Sequence, residues 1–236
     1  HVVGQLGFGK GVASKVVDGV TYHSLSWPAN SSHGDDSEWF ARNAKALHAF
    51  VTELKPEFLH AASDFLNAAA ANLVGKATGI KVVYEVRGFW EETFMASFQL
   101  RHGGDVKPLD ANKQETLPDS YVMRQKSEAK WALASDYVLT LAPTMRQRLE
   151  SYGLSPKKIS LVPNAVDPAD FKPIDRDLEL LSRIGLTPGY IVIGYISSLS
   201  AYEGVDHTES LVEPHRSERH ADNERDDDQD GNECLD

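Results

Sequence analysis

The stretch SDYVLTLAPTMRQRLESYGLSPKKISLVPNAVDPADFKP, residues 135–173, decides the fold. Tyr137 to Leu141 is a short apolar, partly β-branched run, the pattern of a strand covered on both faces. Pro143 suits the first turn of a helix, and Gly153 suits the position just past its end. Met145, Leu149 and Tyr152 fall on one face of that helix. Ile159 to Val162 is the next strand, and Pro163-Asn164 ends it. A strand, a crossover helix and a second strand make a right-handed βαβ unit with the strands parallel. Ligands of such sheets sit beyond the carboxyl ends of the strands, which puts the loop at Asn164 where chemistry is expected.

Working outward, the same alternation continues. Val2 to Gly7 reads as the end of a strand, and Val16 to Leu25 as a strand or hairpin arm. Ser37 to Leu54 is an amphipathic helix with Phe40, Ala44, Leu47, Val51 and Leu54 in one stripe; Asp35 and Glu38 suit its start, and Pro56 stops it. Glu57 to Ala61 is a strand, Asp64 caps an alanine-rich helix ending near Gly79, and Ile80 to Val86 is a strand. Residues 101–119 are polar, with Gly103-Gly104, Pro108 and Pro118, and read as a loop that shapes a site. Ser120 to Ala134 is helical, and residues 174–188 are a linker with a short helix before a strand from Tyr190 to Ile196. The expected fold is α/β: a Rossmann-like, doubly wound parallel sheet, with strands near 57–61, 80–86, 137–141 and 159–162 side by side. The expected organisation is one domain over 1–173, a linker and the first strand of a second domain over 174–206, and an acidic tail over 207–236.

Charge separates that tail from the rest. From His207 onward there are eleven Asp or Glu and three Arg, so the tail carries −8 of the net −11 and the body only −3. The body has no strong basic field, so nucleic acid is not an expected partner. The tail lacks apolar periodicity and is expected to be disordered. Its run Asp226-Asp227-Asp228 lacks the glycine and the terminal glutamate of a calcium loop and reads as solvated. No apolar run approaches the 18–20 or so residues of a membrane helix. The single Cys234 excludes an intrachain disulfide and fits a reducing compartment, so a cytoplasmic location is expected.

Three segments carry a family resemblance. VPNAVD at 162–167, followed by Phe171, closely resembles the VPNGVD…F signature of glycosyltransferase family 4. IGYISSL at 193–199 with YEGVD at 202–206 resembles the first strand and loop of that family's donor domain, and VYEVRGFWE at 83–91 resembles a strand and loop that face the cleft. The resemblance spans most of residues 1–206 and implies the two-domain GT-B fold, of which this chain would hold chiefly the acceptor-side domain. It also implies a first strand and glycine-rich loop upstream of His1, so the expectation is a fragment clipped at both ends or a reading frame shifted near Asp206. The implied activity is retaining transfer of a hexose from a nucleotide sugar to a glycan or lipid-linked acceptor, in polysaccharide or glycoconjugate synthesis. The implied scheme needs no metal and no cofactor beyond the nucleotide-sugar co-substrate, and places the parent protein at the inner face of the membrane. The chain taken alone is expected to transfer little or nothing, and a non-enzymatic Rossmann-like fragment is the rival reading.

The candidate residues follow from strand ends and from that resemblance. Glu85, Arg87, Gly88 and Glu91 lie at or past the end of a strand; Arg87 could clamp a phosphate or a sugar carboxylate, or belong to a surface Arg–Glu network. The resemblance places Arg87 where the family often has a histidine facing the transferred sugar. His60 resembles the histidine of the family's HAH motif in the cleft; otherwise it is a satisfied structural histidine. Glu85, Arg87 and His60 are thus the catalytic candidates. Gly88, Glu91 and Asn164 are candidates for substrate binding, Asn164 being otherwise a turn former. Ser197, Ser198 and Glu203 occupy the donor-diphosphate loop, where many members carry Arg and Lys. The glycines at 4, 7, 9 and 11 are a weak phosphate signal, with no helix start after them.

Overall fold

The computed structural model describes residues 1–4, 14–25, 36–102, 117–187, 189, 191–192, 194 and 196–197. Residues His1–Val192 form one compact unit and Ile193–Asp236 a second. Residues 103–116 of the loop expected at 101–119, the glycines at 7, 9 and 11, the tail from 207, Ser198 and Glu203 lie outside the described residues.

The first unit carries two sheets. β1 (Val2–Gly4), β2 (Ser14–Val17) and β3 (Val20–Ser24) form a small sheet in the order β1-β3-β2. β1 and β3 are parallel, and β2 and β3 are an antiparallel hairpin. Its turn is Asp18-Gly19, with φ 49° and 78°. Two positive φ values in a two-residue loop match the right-handed twist of the flanking strands, and Asp-Gly tolerates them at least strain.

The main sheet runs β4 (Phe58–Ala62), β5 (Lys81–Val86), β6 (Tyr137–Thr140) and β7 (Ile159–Leu161), in that order and all parallel. This is the expected set of four strands, flanked by helices as a Rossmann-like domain requires. The helices are α1 (Asp36–Leu54), α2 (Phe65–Thr78), α3 (Trp90–Arg101), α4 (Asp119–Ala134), α5 (Pro143–Ser151) and α6 (Leu178–Arg183). α2 starts where Asp64 accepts a bond from the Leu66 N–H at 3.1 Å, and ends at Gly79 with φ 77°. α5 opens on Pro143, whose missing N–H costs nothing in a first turn.

The core lies on one face of the main sheet. Val82, Tyr84, Val86, Val138 and Ile159 alternate inward and meet Ala68 and Ala71 of α2, Ala132 of α4 and Leu149 of α5. Small residues let α2 approach closely: a Cβ at Gly75 would fall 2.6 Å from Val82 Cγ2 and 2.7 Å from the Ile80 carbonyl oxygen.

Three sequence expectations need correction. Tyr137 is 57 % exposed while Val138 and Thr140 are buried, so β6 is tightly covered on one face rather than both. Residues 90–101, given no element by periodicity, form α3; its apolar residues do not gather in one stripe, and it is held by paired charges instead. Within 190–196, Ile191, Val192, Gly194 and Ile196 are not in a strand. They are exposed, and a strand forms only against a neighbour that takes its backbone hydrogen bonds.

Candidate functional site

The carboxyl ends of β4 and β5 bring three of the expected residues together. The register pairs His60 with Val83 and Ala62 with Glu85, so His60 and Glu85 lie diagonally on the face opposite the core. His60 Nε2 stands 3.0 Å from Glu85 Oε2, and Arg87 Nε 3.8 Å from Glu85 Oε1. Glu85 is 21 % exposed at its side chain, His60 42 % and Arg87 56 %. A half-buried carboxylate thus sits between two more open nitrogen groups.

Ser63 fixes this corner. Its N–H donates to the Glu85 carbonyl at 2.9 Å, its hydroxyl donates to the same carbonyl at 3.2 Å, and its Oγ accepts the Arg87 N–H at 2.8 Å. The chain after β4 is thereby tied to the chain after β5. Sequence reading passed over Ser63, although a small hydroxyl residue directly after a strand is the signal that would have found it.

Gly88 follows in the loop to α3, and an added Cβ there would have no atom within 4 Å. That leaves room beside Arg87. Glu91 behaves differently from the expectation of a substrate contact. It is 1 % exposed, and its Oε1 accepts from Arg148 Nη2 at 2.9 Å and from the Tyr152 hydroxyl at 3.3 Å. Its carboxylate is directed into α5 rather than to the open corner. Burial raises its pKa, opposed by the bond from its own backbone and by Arg148.

Arg148 organises this support. It also meets Glu92 at 2.6 Å, donates to the Tyr152 hydroxyl at 2.7 Å, and lies with Cζ 4.2 Å above the Phe89 ring. Burial disfavours its charge, but bonds to Tyr152 and Glu92 outweigh this and raise its pKa. The Tyr121 hydroxyl of α4 donates to Glu92 at 2.9 Å, and burial together with that bond pushes its pKa up to about 12. The loop 87–89 is thus held by α3, α4 and α5. The signal was present: Arg148 lies three residues after Met145 and four before Tyr152, on the stripe read as apolar.

Asn164 is exposed in the segment after β7, which starts with the Val162 N–H bonded to the Thr140 carbonyl at 2.8 Å. It is at the carboxyl end of the sheet, as expected, but β7 is three strand spacings from β4, about 14 Å. No hydrogen bond joins it to the His60–Glu85–Arg87 cluster among the described residues. Ser197 is exposed and belongs to the second unit.

Among the described residues no helix is long and apolar enough to cross a membrane. The cluster can do three things: accept a hydrogen bond from a hydroxyl at Glu85, exchange one with His60, and offer Arg87 to an anion. No curated protein matches the chain. The sequence profile described as Glycosyltransferase Family 4 matches residues 5–170, well over half of the 236 residues, and with its parallel sheet and a polar cluster at the strand ends the chain belongs to glycosyltransferase family 4.

Proposed function

We propose that this chain supplies the acceptor side of a retaining hexosyl transfer from a nucleotide sugar to a glycan or lipid-linked acceptor. A glycosyltransferase role follows from the family; the nucleotide-sugar donor, the acceptor and retention of configuration are inferred beyond it. The observation that carries it is the His60–Glu85–Arg87 cluster at the carboxyl ends of β4 and β5, held in place by Ser63.

The acceptor hydroxyl sits against Glu85 and His60, which orient its oxygen toward the sugar carbon. The bond from that carbon to the leaving diphosphate breaks and the bond to the acceptor oxygen forms. The hydroxyl proton leaves with the diphosphate or through His60. Arg87 faces the anionic part of the substrates. Gly88 leaves space for them, Asn164 faces the cleft from the loop after β7, and Ser197, Ser198 and Glu203 belong to the donor side of the scheme. The nucleotide sugar enters as co-substrate, with no cofactor and no metal. A lipid-linked acceptor brings the protein to the inner face of the membrane from the cytoplasm.

The test is a titration of the chain with free glycans and lipid-linked sugars, following the His60 ring resonances by NMR. An acceptor in place shifts them, and Glu85→Gln removes the shift. If no acceptor moves the His60 resonances, the acceptor-side reading falls. Any transfer product is then examined for anomeric configuration, where inversion would overturn the retaining mechanism.

A further inference from the structure

Glu128 of α4 carries a carboxyl that the sugar-transfer scheme does not use, and it is 1 % exposed. Its Oε1 accepts from the hydroxyl of Tyr84 on β5 at 2.5 Å. It also accepts from the backbone N–H of Phe65, the first residue of α2. The Tyr84 hydroxyl has a second polar neighbour, the side chain of Ser63. Ser63 Oγ in turn donates to the Glu85 carbonyl at 3.2 Å and accepts the Arg87 N–H at 2.8 Å. The buried carboxyl and the open corner are therefore the two ends of one hydrogen-bonded chain, Glu128–Tyr84–Ser63–Arg87. Packing alone does not call for it, since apolar side chains of similar volume would fill the same space without burying an ionisable group.

This chain has two orders. An ionised carboxylate only accepts. Tyr84 then donates to Glu128, its oxygen is open to the Ser63 hydroxyl, and Ser63 divides its one proton between Tyr84 and the Glu85 carbonyl. A neutral carboxyl has an O–H to donate. The Tyr84 oxygen takes that bond, the Tyr84 proton turns to Ser63 Oγ, and Ser63 commits its own proton to the Glu85 carbonyl. Burial brings the exchange between the two orders to about pH 7. The other groups that face Glu128 are Asp64 at the start of α2 and Glu91 of α3, whose charges favour the neutral form. Glu91 is itself paired with Arg148 of α5. Arg124, one turn earlier on α4, has its Cζ 5.3 Å from the centre of the Phe94 ring.

We propose that Glu128 is a positioning residue for the His60–Glu85–Arg87 corner: acting through Tyr84 and Ser63, it tightens the tie between the ends of β4 and β5 when it takes up a proton and loosens that tie when it releases one. The inference goes beyond the sugar-transfer reading and holds with no sugar present.

The experiment follows the whole chain by NMR between about pH 4 and pH 9, the range that brackets a shifted carboxyl. A histidine in the corner adds a titration of its own, so His60→Gln is the starting protein. The Glu128 side-chain carboxyl and the backbone amides of Ser63 and Arg87 are expected to move along one curve with a midpoint at about 7. Glu128→Gln should remove that transition from both amides. Tyr84→Phe cuts the chain and leaves the carboxyl in place, so Glu128 should still titrate while the Arg87 amide no longer follows it. An Arg87 amide that does not move with Glu128 in the starting protein would overturn the proposal. So would an Arg87 amide that still follows Glu128 in Tyr84→Phe, since the field of the charge would then suffice without the chain. The first comparison needs no substitution in the core, so it decides the matter even where a core variant fails to fold. No acceptor is used, so failure here leaves the acceptor titration at His60 standing, and failure there leaves this one.

Discussion

Arg148 on α5 and Glu91 on α3 form an ion pair of 2.9 Å across 57 residues of sequence, with Glu91 only 1 % exposed. The pair links the helix that follows β6 to the helix that follows β5. It holds the Arg87–Phe89 loop from behind, and so separates two kinds of arginine: Arg148 belongs to the support and Arg87 to the open corner.

Replacing Arg148 with methionine keeps much of the packing on Phe89 and Tyr152 but strands the Glu91 charge. A buried charge without its partner costs several kcal/mol, so Arg148→Met is expected to lower unfolding free energy by about 3 kcal/mol. Adding Glu91→Gln removes the stranded charge and should restore part of that loss. Urea titration of the single and double variants measures both. A loss under about 1 kcal/mol for Arg148→Met would mean that Glu91 is solvated on its release rather than trapped.

Glu128 makes stability depend on pH. The Tyr84 hydroxyl donates to its Oε1 at 2.5 Å, and burial, the largest influence, pushes its pKa from 4.5 to about 7. Bonds from Tyr84 and from the Phe65 backbone oppose the rise, while the nearby Glu91 and Asp64 charges add to it. A raised carboxyl pKa means that the folded state holds a proton the unfolded state has released. The stabilisation is therefore complete below about 4.5 and is lost as pH rises through about 7, at up to about 1.4 kcal/mol per pH unit. Glu128→Gln, which keeps a partner for Tyr84, should flatten the profile between those limits. An unchanged slope in the variant would assign the dependence to another group.

Gly75 and Gly88 should respond oppositely to alanine. At Gly75 the new methyl meets the Ile80 carbonyl oxygen, which belongs to the backbone and cannot turn aside. Overpacking of this kind costs about 1–3 kcal/mol. At Gly88 there is no atom to meet, and Gly88→Ala should leave the denaturation midpoint where it was. A stable Gly75→Ala protein would show that α2 can slide away from β5.

These cases mark how far the sequence could be read. The four parallel strands, the Asp64 cap, Pro143 at the start of α5 and the turn at Gly79 were legible because each is local: a periodicity, a cap or a required φ. The hairpin at Asp18-Gly19 was legible too, but its dipeptide was read only as part of a loosely alternating arm. The burial of Glu91 was not legible because it depends on Arg148, which sequence distance hides. The meeting of His60 and Glu85 was not written in either strand alone; it comes from the β4–β5 register.

Arg87 provides the sharpest test of the corner as a site. Its side chain is 56 % exposed and its contact with Glu85 is a long 3.8 Å, so removing it should change stability very little. Its backbone N–H bond to Ser63 Oγ survives substitution. If it stabilises negative charge during sugar transfer, Arg87→Ala made in a protein that also carries the donor side should lower turnover by about 100-fold, the scale lost with one preorganised donor. Arg87→Lys keeps the charge without the planar fork and should recover only part of the rate. Transfer assays run beside urea titrations separate the two effects. Turnover that falls only as far as the folded fraction falls would make Arg87 part of a surface Arg–Glu network, and the corner would lose its claim on the substrate.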